Sequence, residues 1–190
     1  MKNWRNSIIA FIALTLSGSA LGDLPQQENA DIKVRIEGDT IVNTATMRVP
    51  ATPEEVWAVL TDYDHMAAFL PNIDYSKTIS NADNKLLVEQ QGKIFFGPFW
   101  FSFDYVQEVT LIPFREIHSR LVSGSFKKLE GRILLIPSGD ETLIIHSGAS
   151  NPTIEAPRGI VASMTEQAVR DQLGNMQREI LRRKNTARKQ

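Results

Sequence analysis

Three histidines, His65, His118 and His146, stand at separations that match neither HxH nor HExxH, so their spacing builds no zinc site. The chain has no cysteine, no GxSxG, no P-loop and no GxGxxG, so no thiol or serine nucleophile motif and no cofactor is implied. Carboxylates at Glu89, Asp104, Glu108 and Glu130 fall in strand-like segments, where pairing with Lys93, Lys128 or Arg132 across a sheet surface is their ordinary role. Tyr105 beside a buried acid would support acid–base chemistry, but no acid is spaced to make that specific. The densest grouping is apolar. IFFGPFWFSFDY, Ile94 to Tyr105, holds nearly half of the Phe, Trp and Tyr in a chain with 8% aromatic residues.

Alternation along that segment puts Phe99, Phe101, Phe103, Tyr105, Val109 and Leu111 on one face, with Trp100, Ser102, Asp104, Glu108 and Thr110 on the other. Rows like the first are packing in most proteins. Facing a cavity, the same row becomes the wall of a site for an apolar ligand, with Tyr105 and Gln107 as its polar groups. Phe95, Phe96 and Trp100 either pack on a neighbouring loop or form a tip suited to a bilayer surface. His118 falls opposite Ile117 and Leu121, hence on the outer face of its strand.

The elements that must carry these residues follow from pattern. IKVRI (32–36) and TIVNTATMRV (40–49) read as two strands or one bent strand. Thr52-Pro53-Glu54-Glu55 opens a helix, with Thr as N-cap, Pro at the first position and acids in the first turn. A second short helix is expected from near Asp64 to before Pro71. From residue 74 to 150 six strands alternate with breaks such as Gly97-Pro98, Ile112-Pro113, Gly124 and Pro137 to Asp140, which is an antiparallel meander by pattern. After Pro157 one helix runs to about Lys184, its stripe formed by Ile160, Val161, Met164, Ala168, Val169, Leu173, Met176 and Ile180.

Composition bounds the rest. With 190 residues, 42% hydrophobic and 23% charged, the chain is ordinary globular material for one domain. MKNWRNSIIAFIALTLSGSALG carries Lys2 and Arg5, an apolar run from Ile8 to Leu16 and a small-residue site before Asp23, the parts of a secretory signal over residues 1–22. That run is too short for a bilayer span, which takes about 20 residues. Export, most simply to a periplasm, is therefore expected after cleavage near Gly22. Removing residues 1–22 lowers the 21 basic residues to 19 against 22 acidic, a net charge of −3, which argues against nucleic acid as a partner. Residues 23–31 read as a flexible leader, 32–184 as the domain and 185–190 as a basic tail. The cations from Arg178 to Lys189 either complement the helix dipole or dock on anionic lipid.

VPATPEEVWAVLTDYDHMAAFLPNI (49–73) resembles the opening strand end, helix pair and FLP turn of the START-like, or SRPBCC, superfamily. GSFKKLEGRILLIPSGDETLIIHSGASNP (124–152) resembles its late hairpin and the proline-flanked entry to the last helix. The nearest flavour is the polyketide cyclase/dehydrase and lipid-transport group, which includes coenzyme Q-binding proteins. The resemblance implies an α+β helix-grip fold: a curved antiparallel sheet wrapped around a long C-terminal helix, with two short helices after the first strand. It also implies a cavity between sheet and helix for a lipid, quinone, sterol or polyketide. Phe99, Phe101, Phe103, Tyr105, Leu121, Phe126, Val161, Met164 and Ala168 are the residues expected to line it. Three functions stay open: an exported carrier or sensor of a hydrophobic small molecule, with transient membrane contact; a cyclase or dehydratase using the same cavity; and a ligand-free interaction module.

Overall fold

A computed structural model describes residues 30–97, 99–154 and 156–189, without the side chains of Phe96 and Phe99. The signal over 1–22 and most of the leader lie outside the described residues.

Strands β1 (Asp31–Glu37) and β2 (Thr40–Val49) form an antiparallel hairpin. In β2 the two-residue period is clean: Ile41, Asn43, Ala45, Met47 and Val49 are buried, and Asn43 is the one polar member of that series. Helix α1 (Pro53–Leu60) then starts on a full capping box. Thr52 Oγ1 accepts from the Glu55 backbone N–H at 3.3 Å, and the Glu55 carboxylate accepts from the Thr52 N–H at 2.9 Å. The second short helix is a 3₁₀ segment, Tyr63–Ala68, the form that short pieces between other elements favour.

Strands β3 (Ile73–Ala82), β4 (Lys85–Phe96), β5 (Phe99–Ile112), β6 (Glu116–Gly124), β7 (Phe126–Ser138) and β8 (Glu141–Pro152) follow as a meander. The sheet order is β1-β2-β8-β7-β6-β5-β4-β3, with every neighbouring pair antiparallel. The chain therefore crosses from β2 to the far edge through α1 and the 3₁₀ segment. Helix α2 (Arg158–Ala187), about 45 Å long at 1.5 Å per residue, lies against β1, β2, β4 and α1. This curved open sheet closed over a long C-terminal helix is the helix-grip arrangement implied by the sequence resemblance.

The two halves of α2 do different work. Towards its C-terminal end, Ile180 joins Val49, Val56, Val59, Val88, Val109 and Ile144 in a dry core, with Met176 at its boundary. Glu179 is buried there and accepts from Arg182 at 2.7 and 2.8 Å and from Arg183 at 2.7 Å. Arg183 also reaches Asp62 at 2.7 Å and lies 5.6 Å over the Phe69 ring, while Lys184 contacts Glu55 and the Pro50 carbonyl. Arg182, Arg183 and Lys184 thus take part in ion pairs, two of them fastening α2 to the α1 region, and the helix continues three residues past 184. At the other end Ile160, expected on the apolar stripe, is 42% exposed, because Val161, rotated by 100°, takes the inward position in the first turn.

Candidate functional site

From Val161 to Met176, α2 covers a cavity of about 440 Å³. Its sheet wall is the inward row of β5: Phe101, Phe103, Tyr105 and Gln107. Phe103 and Tyr105 stack with ring centroids 5.7 Å apart, and Phe126 of β7 meets Tyr105 edge-on at 5.9 Å. Offset and edge-on arrangements of this kind satisfy the ring quadrupoles and hold the wall rigid. Opposite, Val161, Met164, Ala168, Leu173 and Met176 of α2 form the cover, and Tyr63, Met66 and Leu70 close the end nearest α1.

Of the residues expected to line a cavity, Phe101, Phe103, Tyr105, Phe126, Val161, Met164 and Ala168 come together around this one. Leu121 does not line it: it follows the last β6–β7 pair, Arg120↔Glu130, beyond which the two strands are no longer paired. The side chain of Phe99 lies outside the described residues. Val109 is in the dry core, and Phe95 and Trp100 at the β4–β5 tip are both 58% exposed, with Lys93 over the Trp100 ring.

Tyr105 has no acid as its partner. Its hydroxyl donates to Gln90 Oε1 at 2.6 Å, Gln107 Nε2 donates to the same oxygen at 3.3 Å, and Gln90 Nε2 donates to Ser76 Oγ at 2.9 Å. Burial pushes the phenols of both Tyr105 and Tyr63 well above the usual tyrosine range, so they stay protonated. The strand carboxylates lie in surface contacts: Glu108 with Arg120 at 2.9 Å, Glu130 with Lys128 at 3.2 Å, and Asp104 accepting from Ser125. Lys93 and Arg132 choose partners other than those expected, Asp74 and Glu116, and His118 is exposed on the outer face beside Glu116.

A second polar group at the cavity was not anticipated. Asn43 of β2 and His146 of β8 are diagonal neighbours on the inward face, since Asn43 pairs with Gly148 and Ala45 with His146. A Cβ on Gly148 would stand 2.8 Å from Asn43 Nδ2 and 3.3 Å from His146 Cε1; a Cβ on Gly131 would stand 2.7 Å from Ser119 Oγ. The two glycines, paired with each other across β7 and β8, therefore let an amide and a hydroxyl lie flat on the sheet floor. Burial holds the His146 imidazole down at about 4, hence neutral. The available signal was parity: Asn43 is the one polar residue in the inward row of β2, and His146 falls in the inward row of β8 with Ile144 and Gly148.

Solved structures with this architecture include the STAR-related lipid transfer protein from Xanthomonas axonopodis, with a TM-score of 0.69 and 15% identity over 80% of this chain and 94% of that one. The Zhui aromatase/cyclase from Streptomyces sp. R1128 superposes with a TM-score of 0.65 at 16% identity, covering 76% and 95%. A START superfamily protein from Mycobacterium smegmatis gives 0.65 at 16% identity, covering 74% and 97%. At these identities the likeness is one of fold. No curated protein matches the chain in sequence at a significant level. The family model described as polyketide cyclase/dehydrase and lipid transport matches residues 49–177, from the end of β2 into the C-terminal half of α2, and the chain belongs to that family.

Proposed function

We propose that the protein is an exported carrier or sensor that holds a hydrophobic small molecule between the sheet and the N-terminal half of α2. Family membership implies a hydrophobic ligand. The observation that carries the reading is the cavity of about 440 Å³, walled by Phe101, Phe103 and Phe126 and covered by the adaptable side chains of Met164 and Met176. Apolar ligand surface buried there contributes roughly 25 cal/mol per Å². The residues favour binding over turnover, because the Tyr105 hydroxyl is bonded to the Gln90 amide and not to an acid. Export rests on the signal-like residues 1–22. Transient membrane contact is assigned to the β4–β5 tip, where exposed Phe95 and Trp100 suit a bilayer interface.

One measurement tests the carrier and its export together. Native mass spectrometry of the protein purified from fractionated cells should find it in the periplasmic fraction, as a chain beginning at Asp23 with an adduct that organic extraction removes. A chain found only in the cytoplasmic fraction and retaining residues 1–22 would reject export. A chain that carries no adduct and takes up no hydrophobic probe would reject the carrier.

A further inference from the structure

Among the polar residues at the cavity, two groupings differ in how far they satisfy themselves. Tyr105, Gln90, Gln107 and Ser76 bond to one another and hold the wall in shape. Asn43 and His146 do not: Asn43 is only 6% exposed, and its Oδ1 and the His146 Nδ1 are buried without a hydrogen-bond partner among the described residues. Leaving a buried polar atom unpaired forfeits its hydration without a hydrogen bond in return. Two such atoms side by side on a floor cleared by Gly148 and Gly131 describe a place for a polar group from outside the chain.

Charge narrows what that group is. Among the described residues that line the cavity, Glu130 is the one ionised side chain; it is exposed, and no lysine or arginine lines the space. A carboxylate or phosphate carried inside would meet no cation, and an unpaired buried anion is strongly disfavoured. The neutral imidazole offers one donor and one acceptor, and the Asn43 carboxamide offers both as well.

We propose that the cavity takes an uncharged apolar molecule bearing a hydroxyl or keto oxygen, and that this oxygen docks on the sheet floor between Asn43 and His146. A hydroxyl there donates to Asn43 Oδ1 and accepts from the imidazole N–H; a keto oxygen accepts from the Asn43 amide N–H and the imidazole N–H, leaving Oδ1 unpaired. The proposal rests on the cavity being a ligand site, and its test separates the two.

Uptake of the hydrocarbon probe 1,6-diphenylhexatriene, followed by its fluorescence, reports the cavity itself. Displacement by 1-dodecanol, 2-dodecanone and dodecanoate at pH 7.5 reports the polar preference. Dodecane serves as the competitor that lacks an oxygen. The alcohol and ketone should compete at least about tenfold better than either dodecane or the carboxylate, and in Asn43→Leu the advantage of the alcohol over dodecane should shrink to about threefold. Uptake of the probe with dodecane or dodecanoate competing as well as dodecanol overturns the proposal and spares the cavity; so does an unchanged alcohol-to-dodecane gap in Asn43→Leu. No uptake by the natural protein rejects both. Should Asn43→Leu fail to fold or to take up the probe, His146→Phe replaces it, and the alcohol-to-dodecane gap of the natural protein still decides.

Discussion

His146 combines a buried nitrogen with a ring the cavity partly exposes, and its acid–base behaviour follows from that position. In the unfolded chain the imidazole titrates near 6.5, whereas burial holds it at about 4 in the fold. As pH falls below 6.5 the unfolded state takes up a proton that the folded state does not, so stability present above 6.5 is lost on the way to 4. Between pH 7 and 5 the loss is about 2 kcal/mol. Urea unfolding should show that slope in the natural protein and a flat response in His146→Phe; parallel slopes would assign the loss to other groups. Tyr105 and Gln107 were legible because alternation places them on the aromatic face. Asn43 and His146 share that kind of parity, yet a polar residue turned inward usually has a partner in the fold. Whether it has one is decided by Gly148, contributed by a strand 105 positions away from Asn43, and no local pattern reports that.

At the scale of elements, α2 is held unequally. Hydrogen bonds from Arg182 and Arg183, which outweigh the burial that opposes them, hold the Glu179 carboxyl down at about 2. Glu179→Gln should cost about 1–2 kcal/mol at pH 7, discounted for the solvent that reaches both arginines. Because the folded pKa is depressed, this stabilisation is present above pH 4.5 and lost as pH falls through about 2. Chemical denaturation should therefore show the two proteins far apart at pH 7 and converging near pH 2. A gap that persists at low pH would point to packing instead of charge. The capping box at Thr52, the strand alternation and the α2 stripe were readable because each is a local pattern. The roles of Arg183 and Lys184 were not, since Asp62, Glu55 and Pro50 meet them only after the sheet has carried the chain back across its whole width.

Taken as a whole, the molecule is dry at one end and hollow at the other. Core and cavity lie under the same helix, and the β4–β5 tip stands at the hollow end, where Phe95 and Gly97 share a groove with Ser163, Glu166, Gln167 and Asp171 of α2. If that tip meets a bilayer, replacing Phe95 and Trp100 together by Ser should slow transfer of diphenylhexatriene from protein to neutral vesicles about tenfold, in keeping with the loss of two interfacial anchors. Probe affinity should be unchanged, and unchanged transfer would remove the tip from membrane contact. The helix over the cavity begins at Pro157 without a side-chain cap and ends in ion pairs to Asp62 and Glu55. At its first residue the same helix is held more lightly, by one ion pair at 3.2 Å from Arg158 to Asp39 in the β1–β2 turn, so the two ends of the rod are anchored with unequal strength. If an occupant leaves by the first turns of α2, that ion pair is the contact that must break, and two molecules of equal affinity would then depart at rates that their contacts with the aromatic wall alone do not set.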